Sequence, residues 1–415
     1  MVGGSRFDRT NQFNRATQAK VQPGSSFKPL FYSAAIDSRK FTAATMIYDG
    51  PVVFHQNGVP YTPLNFAGRW RGNVSVRTAL SNSLNVPAII VLDTIGFDVA
   101  IDQSAKLLGI KDPREIERTF PRNYPLALGV ISTSPIQMAR AFATFANLGR
   151  EVEPVGIRYV EDRNGKIIAN IAADLINDQR RRGNSLQILS PQAAYVITDI
   201  LKTTVENGTL ASSRNRVGGF GKMPMAGKTG TTQNWSDAWA IGFSPYMTTA
   251  VWLGFDTPGN SLGLQNTGAG AAGPIWAGYM KAVHSNLPVL EFNRPSTGLV
   301  ETQVETMSGL LPSGNPNEVV TKEIFIEGTA PNRISTYYSN VEDREKNIVR
   351  NLDQTRILDL AGSGLLDLEL DLNLNLGGST EALPPDLDLN LTNLLDINPT
   401  PESNPEAELN LDLLF

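Results

Sequence analysis

Three short groups of residues carry the chemistry this sequence can do. Pro23-Gly24-Ser25-Ser26-Phe27-Lys28 reads as a turn leading into a helix that continues through Leu30, Phe31 and Ala34. Ser25 then falls in the first helical turn, where free backbone N–H groups and the helix dipole favour negative charge. Lys28, three residues on, shares its face of the helix. A neutral lysine amine there takes the hydroxyl proton and leaves an alkoxide able to attack an acyl carbon. Lysine normally titrates near ~10.4, so such a base must be desolvated or set beside another cation.

Lys228-Thr229-Gly230-Thr231 offers that second cation, on a predicted strand running from Met223 to Thr231. Gly230 lets another backbone approach closely. Strand alternation sends Lys228 and Gly230 to one face and Thr229 and Thr231 to the other. An edge position for this strand would suit a substrate that binds by strand addition. The third group is Ser83-Leu84-Asn85, after a helical stretch from Ser75 to Ser81 and just before Val86-Pro87. A polar loop between helices can aim a hydroxyl and an amide into a cleft. Each triplet alone is weak, and Ser-x-Asn recurs at Ser213 and Ser313. The order Ser25, Ser83, Lys228 is what makes chance a poor explanation.

Composition narrows the alternatives. The 415 residues contain no cysteine and only two histidines, His55 and His284. Disulfides, thiolate zinc sites and cysteine nucleophiles are excluded, and a Ser-His-Asp triad has little material. No cluster of bases is dense enough for nucleic acid. The longest unbroken apolar stretch of the first half, Val86 to Leu92, is far short of a membrane span. Met1 to Ser5 lacks the basic and apolar regions of a signal peptide, so the chain as given reads as soluble. The formal charge of −5 is uneven: residues 351–415 carry 13 acids and one base, Arg356, leaving 35 bases and 28 acids before them. Two bodies are expected, a domain over 1–350 and an acidic, Leu/Asn/Asp-rich tail over 351–415. The tail alternates apolar and polar from Leu368 to Leu374, yet its charge and prolines favour disorder.

The elements that position the three groups announce themselves by their ends. Ser134-Pro135 and Ser190-Pro191 each pair an N-cap with proline at the first helical position, and the helices close near Asn147 and Asn207. Asp237 to Ser244 and Met247 to Phe255 are apolar, aromatic-rich runs joined by Pro245-Tyr246, a hairpin after the Lys228 strand. Residues 257–273 read as a Gly-rich loop. Pro274 to Val283 reads as a helix with Ile275, Trp276, Tyr279 and Met280 on one buried side.

The flanks of these motifs add a resemblance. Gln22-Pro23-Gly24-Ser25-Ser26-Phe27-Lys28-Pro29, Ser134-Pro135-Ile136-Gln137-Met138-Ala139 and Gly227-Lys228-Thr229-Gly230-Thr231-Thr232 resemble the class A penicillin-binding proteins. Asp237 to Phe243 and Gly273-Pro274-Ile275-Trp276 are similar to that family too, and the likeness runs from Met1 to about Asn332. The resemblance implies an α/β fold of the α+β type, with an antiparallel sheet flanked by helices and a second, all-helical lobe. It implies that Ser25 attacks the penultimate D-Ala of a peptidoglycan stem peptide, and that β-lactams acylate the same serine. Lys28 would be the base, and Ser83 with Lys228 a proton relay. Asn85 would hold the substrate amide, Thr229 and Thr231 the terminal carboxylate, and Gly230 would admit the substrate backbone. The N–H groups of Ser25 and Thr231 would form the oxyanion hole. No metal or organic cofactor is implied.

The resemblance also places the family at the extracytoplasmic face of the bacterial inner membrane, with a membrane helix and a glycosyltransferase domain upstream. Met1 to Gly4 looks like the end of the family's second sheet strand, which marks the chain as an N-terminal truncation. The rivals within this fold are a D,D-carboxypeptidase and a β-lactamase. The latter would need a Glu-x-x-Leu-Asn pattern that Glu115-Ile116-Glu117-Arg118 lacks. A non-catalytic module that binds β-lactam or peptidoglycan is the rival from another class.

Overall fold

The computed structural model describes residues 1–338 apart from Asn57 and Ala67. The acidic segment 351–415 and the boundary expected before it lie outside the described residues. The polypeptide enters through α1 (Arg15–Gln18) and a single 3₁₀ turn, Gly24–Phe27, that runs directly into α2 (Lys28–Asp37). Short strands β1 (Met46–Asp49), β2 (Phe54–Gln56), β3 (Val59–Tyr61) and β4 (Gly72–Ser75) follow. They pair antiparallel, β1 with β4 and β2 with β3. Helices α3 (Val76–Ser81), α4 (Asn85–Ile95), α5 (Phe97–Leu108) and α6 (Pro113–Thr119) make up the helical lobe.

After α7 (Pro135–Ala146), the small pair β5 (Val160–Glu161) and β6 (Ile167–Ala169) leads through α8 (Ile171–Arg182) to α9 (Pro191–Glu206) and α10 (Ala211–Arg216). The main sheet is the antiparallel run β7 (Ala226–Thr231), β8 (Asp237–Phe243) and β9 (Thr248–Gly254), in that spatial order. Helix α11 (Gly273–His284) and the hairpin of β10 (Leu299–Glu305) and β11 (Val320–Ile326) complete the described chain.

Local signals explain why these elements begin and end where they do. Ser134 and Gln137 form a reciprocal capping box at α7, and Ser190 caps α9. Ser244 accepts N–H bonds from Tyr246 and Met247, which folds the turn between β8 and β9. Period-two alternation then sorts β8 between two helices. Ala238 and Ala240 join Trp276 and Met280 of α11 in one apolar cluster. On the opposite face Phe243 meets Phe142 of α7 edge-on at 6.4 Å between centroids, the geometry aromatic quadrupoles prefer. Helices α2 and α4 are apolar on nearly every side and sit in the core, α2 packing against α4, α5 and α9.

Four sequence expectations need correction. Ser25 lies in a 3₁₀ turn rather than the first α turn, because Gly24 holds a positive φ of 54° that an α-helix does not accept. Of the four residues expected on the buried side of α11, Trp276 and Met280 are buried but Ile275 and Tyr279 are about half exposed, since α11 presents a single stripe to the sheet. Within the expected loop 257–273, Gly268–Ala272 forms one π-helical turn that feeds α11. Met1 to Gly4 forms no strand, because Gly3 instead accepts a bond from the Arg15 N–H. Among the described residues β9 has no strand on its outer edge.

Candidate active site

The 3₁₀ turn carrying Ser25 is pressed against β7, an edge strand of the main sheet. Two glycines make that contact possible. A Cβ on Gly24 would stand 2.7 Å from the Thr231 carbonyl oxygen, and one on Gly230 would stand 2.2 Å from that of Pro23. The Trp239 indole N–H also donates to the Gln22 carbonyl at 2.8 Å, fixing the chain that enters the turn. Ser25 is half-buried, and its hydroxyl bonds to no other described residue. Its neighbour Ser26 is fully buried and donates to the Pro23 carbonyl at 2.7 Å, a turn-closing role.

Lys28 begins α2 and is fully buried. Its Nζ donates to the carbonyls of Ser83 and Leu84, at 2.7 and 3.0 Å, and to Asn85 Oδ1 at 2.8 Å. Two of the three motifs thus meet at one amine. The turn between α3 and α4 that offers these acceptors is held open by Ser83, a non-glycine residue at φ 61°. Burial, then the charge of Lys228, hold the Lys28 amine well below its ordinary pKa, while Asp49 pulls the other way. Three acceptors would saturate an ammonium, so bonding and burial compete over this proton.

Lys228 is buried on β7 and donates to the Thr229 carbonyl at 3.0 Å. Burial pushes it down to about 7. The expected alternation holds: Lys228 and Gly230 pair with Ile241 and Trp239, while Thr229 and Thr231 pair with Ala240 and Ala238 on the α11 side. The Thr229 hydroxyl donates to that of Thr209 at 2.7 Å. The Thr231 hydroxyl accepts from the Gly268 N–H at 3.0 Å and keeps its own proton to give. Thr209 was not singled out by sequence, although Asn207-Gly208-Thr209 marks the end of α9.

Sequence reasoning also missed a buried polar connection behind Asn85. The Asn85 N–H donates to Asn65 Oδ1 at 2.8 Å, and Asn65 Nδ2 donates to both carboxylate oxygens of Asp49, at 2.7 and 3.0 Å. Nothing in the spacing of these residues signals the contact. The duplicate Ser-x-Asn matches are accounted for structurally. Ser213 is buried and donates to the Ala269 carbonyl, and Ser313 donates to Glu318 in a turn.

Comparisons with known proteins agree with this architecture. Residues 1–281 match the family described as penicillin binding protein transpeptidase domain. Penicillin-binding protein 1A of Neisseria lactamica is 39% identical over 284 residues, covering 68% of this chain and 33% of that protein. Its counterpart in Aquifex aeolicus is 32% identical over 342 residues, covering 80% of this chain and 42% of that protein. The chain therefore spans less than half the length of these relatives. The structure of penicillin-binding protein 1A from Haemophilus influenzae matches with a TM-score of 0.67 at 30% identity, over 79% of this chain and 51% of that one. PonA1 of Mycobacterium tuberculosis, solved in complex with penicillin V, gives 0.58 at 25% identity, over 70% of this chain and 76% of that one. The sequence resemblance and the antiparallel sheet with its helical lobe are both borne out, and the chain belongs to the penicillin-binding protein transpeptidase domain family.

Proposed function

We propose that this chain is a peptidoglycan D,D-transpeptidase working through a Ser25 acyl-enzyme that β-lactams also form. The carrying observation is the fully buried Lys28 amine, in contact with the Ser83–Asn85 turn at the foot of the turn that presents Ser25 to β7. Loss of the Lys28 proton frees a lone pair, which takes the Ser25 hydroxyl proton as Oγ bonds to the carbonyl carbon of the penultimate D-Ala. The developing oxyanion lies between the Ser25 and Thr231 N–H groups, donors worth ~3–4 kcal/mol each in other serine enzymes.

The peptide C–N bond then breaks, and the leaving D-Ala nitrogen receives a proton through Ser83 and Lys228. The amine of a neighbouring stem peptide attacks the ester carbonyl, its proton returns to the site, and Ser25 is regenerated. Asn85 holds the substrate amide, Gly230 admits its backbone, and Thr229 and Thr231 bind the terminal carboxylate, with Thr209 behind Thr229. No metal or organic cofactor enters the scheme. No described helix is long and apolar enough to cross a membrane. The stem-peptide substrate places the reaction at the extracytoplasmic face, where a glycosyltransferase domain would supply glycan strands.

The test is incubation with a stem pentapeptide ending in D-Ala-D-Ala plus an amine acceptor, following D-Ala release and cross-linked product. Transpeptidation predicts both. Release without cross-linking would identify a carboxypeptidase, and neither, with slow acylation alone, a binding module.

A further inference from the structure

Asp49 and Asn65 are buried polar side chains outside all three motifs. Asp49 is fully buried and Asn65 is 7% exposed. Besides its bonds to Asp49, Asn65 Nδ2 donates to the Arg69 carbonyl at 3.0 Å, so its orientation is fixed by acceptors on one side. Its Oδ1 is thereby turned to the Asn85 N–H, the first residue of α4. Asn85 in turn points Oδ1 at Lys28, and its Nδ2 donates to the Leu64 carbonyl at 2.8 Å. The Asp49 carboxylate also accepts from the Arg71 N–H at 3.0 Å. Every contact made to it comes from an N–H donor, which suits the ionised, acceptor-only form.

We propose that Asp49 and Asn65 act as a positioning pair for the acyl-transfer site, holding Asn85 in register with Lys28. The inference rests on the proposed role of Lys28. The charged and titratable groups involved are few. Besides burial, the charge of Lys228 on β7 lowers Lys28 and that of Asp49 on β1 raises it, while Tyr32, on α2 itself, is raised by burial and by Asp49. Arg71 bears on Asp49 from the segment before β4. Burial raises the Asp49 carboxyl, while the Asn65 bond, the Arg71 N–H and the charges of Arg71 and Lys28 oppose the rise. Lys228 and Asp49 therefore pull Lys28 in opposite directions. Without Asp49 the amine would be so weak a base that proton transfer from serine would lose driving force.

Two readouts separate this inference from the function it rests on. Lysine NMR titration, with the Lys28 signal assigned by its loss in Lys28→Met, reports Lys28 directly and needs no acylation. Asp49→Asn should lower the Lys28 midpoint by about one unit. The acid limb of benzylpenicillin acylation should move down by the same amount, while the plateau rate falls. Asn65→Ala should slow acylation up to about 100-fold through misplacement of Asn85. If that variant folds poorly, the double exchange Asp49→Asn with Asn65→Asp keeps a carboxylate and a bond between the two positions. It should bring the Lys28 midpoint back towards wild type. An unmoved Lys28 titration in Asp49→Asn would overturn the proposal even if the wild type is acylated. A wild type that is never acylated, but whose Lys28 midpoint does shift, would fault the functional reading instead.

Discussion

Buried positive charge is treated in two opposite ways in this molecule. Arg77 lies between α9 and β11, where its guanidinium meets Glu323 and, at 2.6 Å, Asp199. Burial disfavours its charge, but the two carboxylates outweigh that and raise its pKa. Arg140 on α7 is likewise matched to buried Glu151 at 2.7 Å. Lys28 and Lys228 are more deeply buried and form no ion pair among the described residues; burial drives both towards the neutral amine, and at Lys28 the charge of Lys228 adds to it. An interior charge must be paired or given up. The arginines take the first course and tie elements together; the lysines take the second, which suits the proton-accepting role proposed for Lys28.

The comparison breaks most sharply at Lys28. Lys28→Met should reduce benzylpenicillin acylation by about 10²–10⁴-fold, the usual range for a general base, without unfolding the chain. A variant acylated at near wild-type rate would remove Lys28 from the chemistry. On the other side, Arg77→Met strands Glu323, which is only 4% exposed as a side chain. Urea unfolding should register a loss of ~3–5 kcal/mol. A loss below ~1 kcal/mol would mean that Glu323 is relieved by other groups.

A smaller effect appears in the pH dependence. Folding lowers the pKa of both lysines, so between the folded and unfolded values the unfolded chain binds more protons. Stability contributed by Lys228 is then lowest below about 7 and rises with pH. The gain is complete once the pH passes the unfolded lysine value near ~10.4. Lys228→Met should flatten the slope of unfolding free energy across that window, and the same slope in both proteins would place Lys228 in a wetter site. The variant should also move the acid limb of acylation upward, opposite in sign to Asp49→Asn.

Much of this was legible in sequence because the signals are local. Ser-Pro openings fix α7 and α9, Pro245-Tyr246 marks the β8–β9 turn, and alternation along β7 sorts Lys228 from Thr229. What stayed hidden depends on contacts between distant segments. The 3₁₀ form of the Ser25 turn follows from the approach of Gly24 to Thr231, two positions far apart in the chain. Exposure of Ile275 and Tyr279 depends on how wide a face α11 offers the sheet. Asp49 and Asn65 lie in stretches without periodicity, and only the fold brings a carboxylate behind the Ser83–Asn85 turn.

Ser25 as the nucleophile activated beside Lys28 is tested by intact-mass measurement after incubation with benzylpenicillin, followed by peptide mapping. One antibiotic per chain is expected, mapped to Ser25, and absent from Ser25→Ala although that variant melts like the wild type. An adduct located on Ser26 or Ser83, or one that persists in Ser25→Ala, would contradict it.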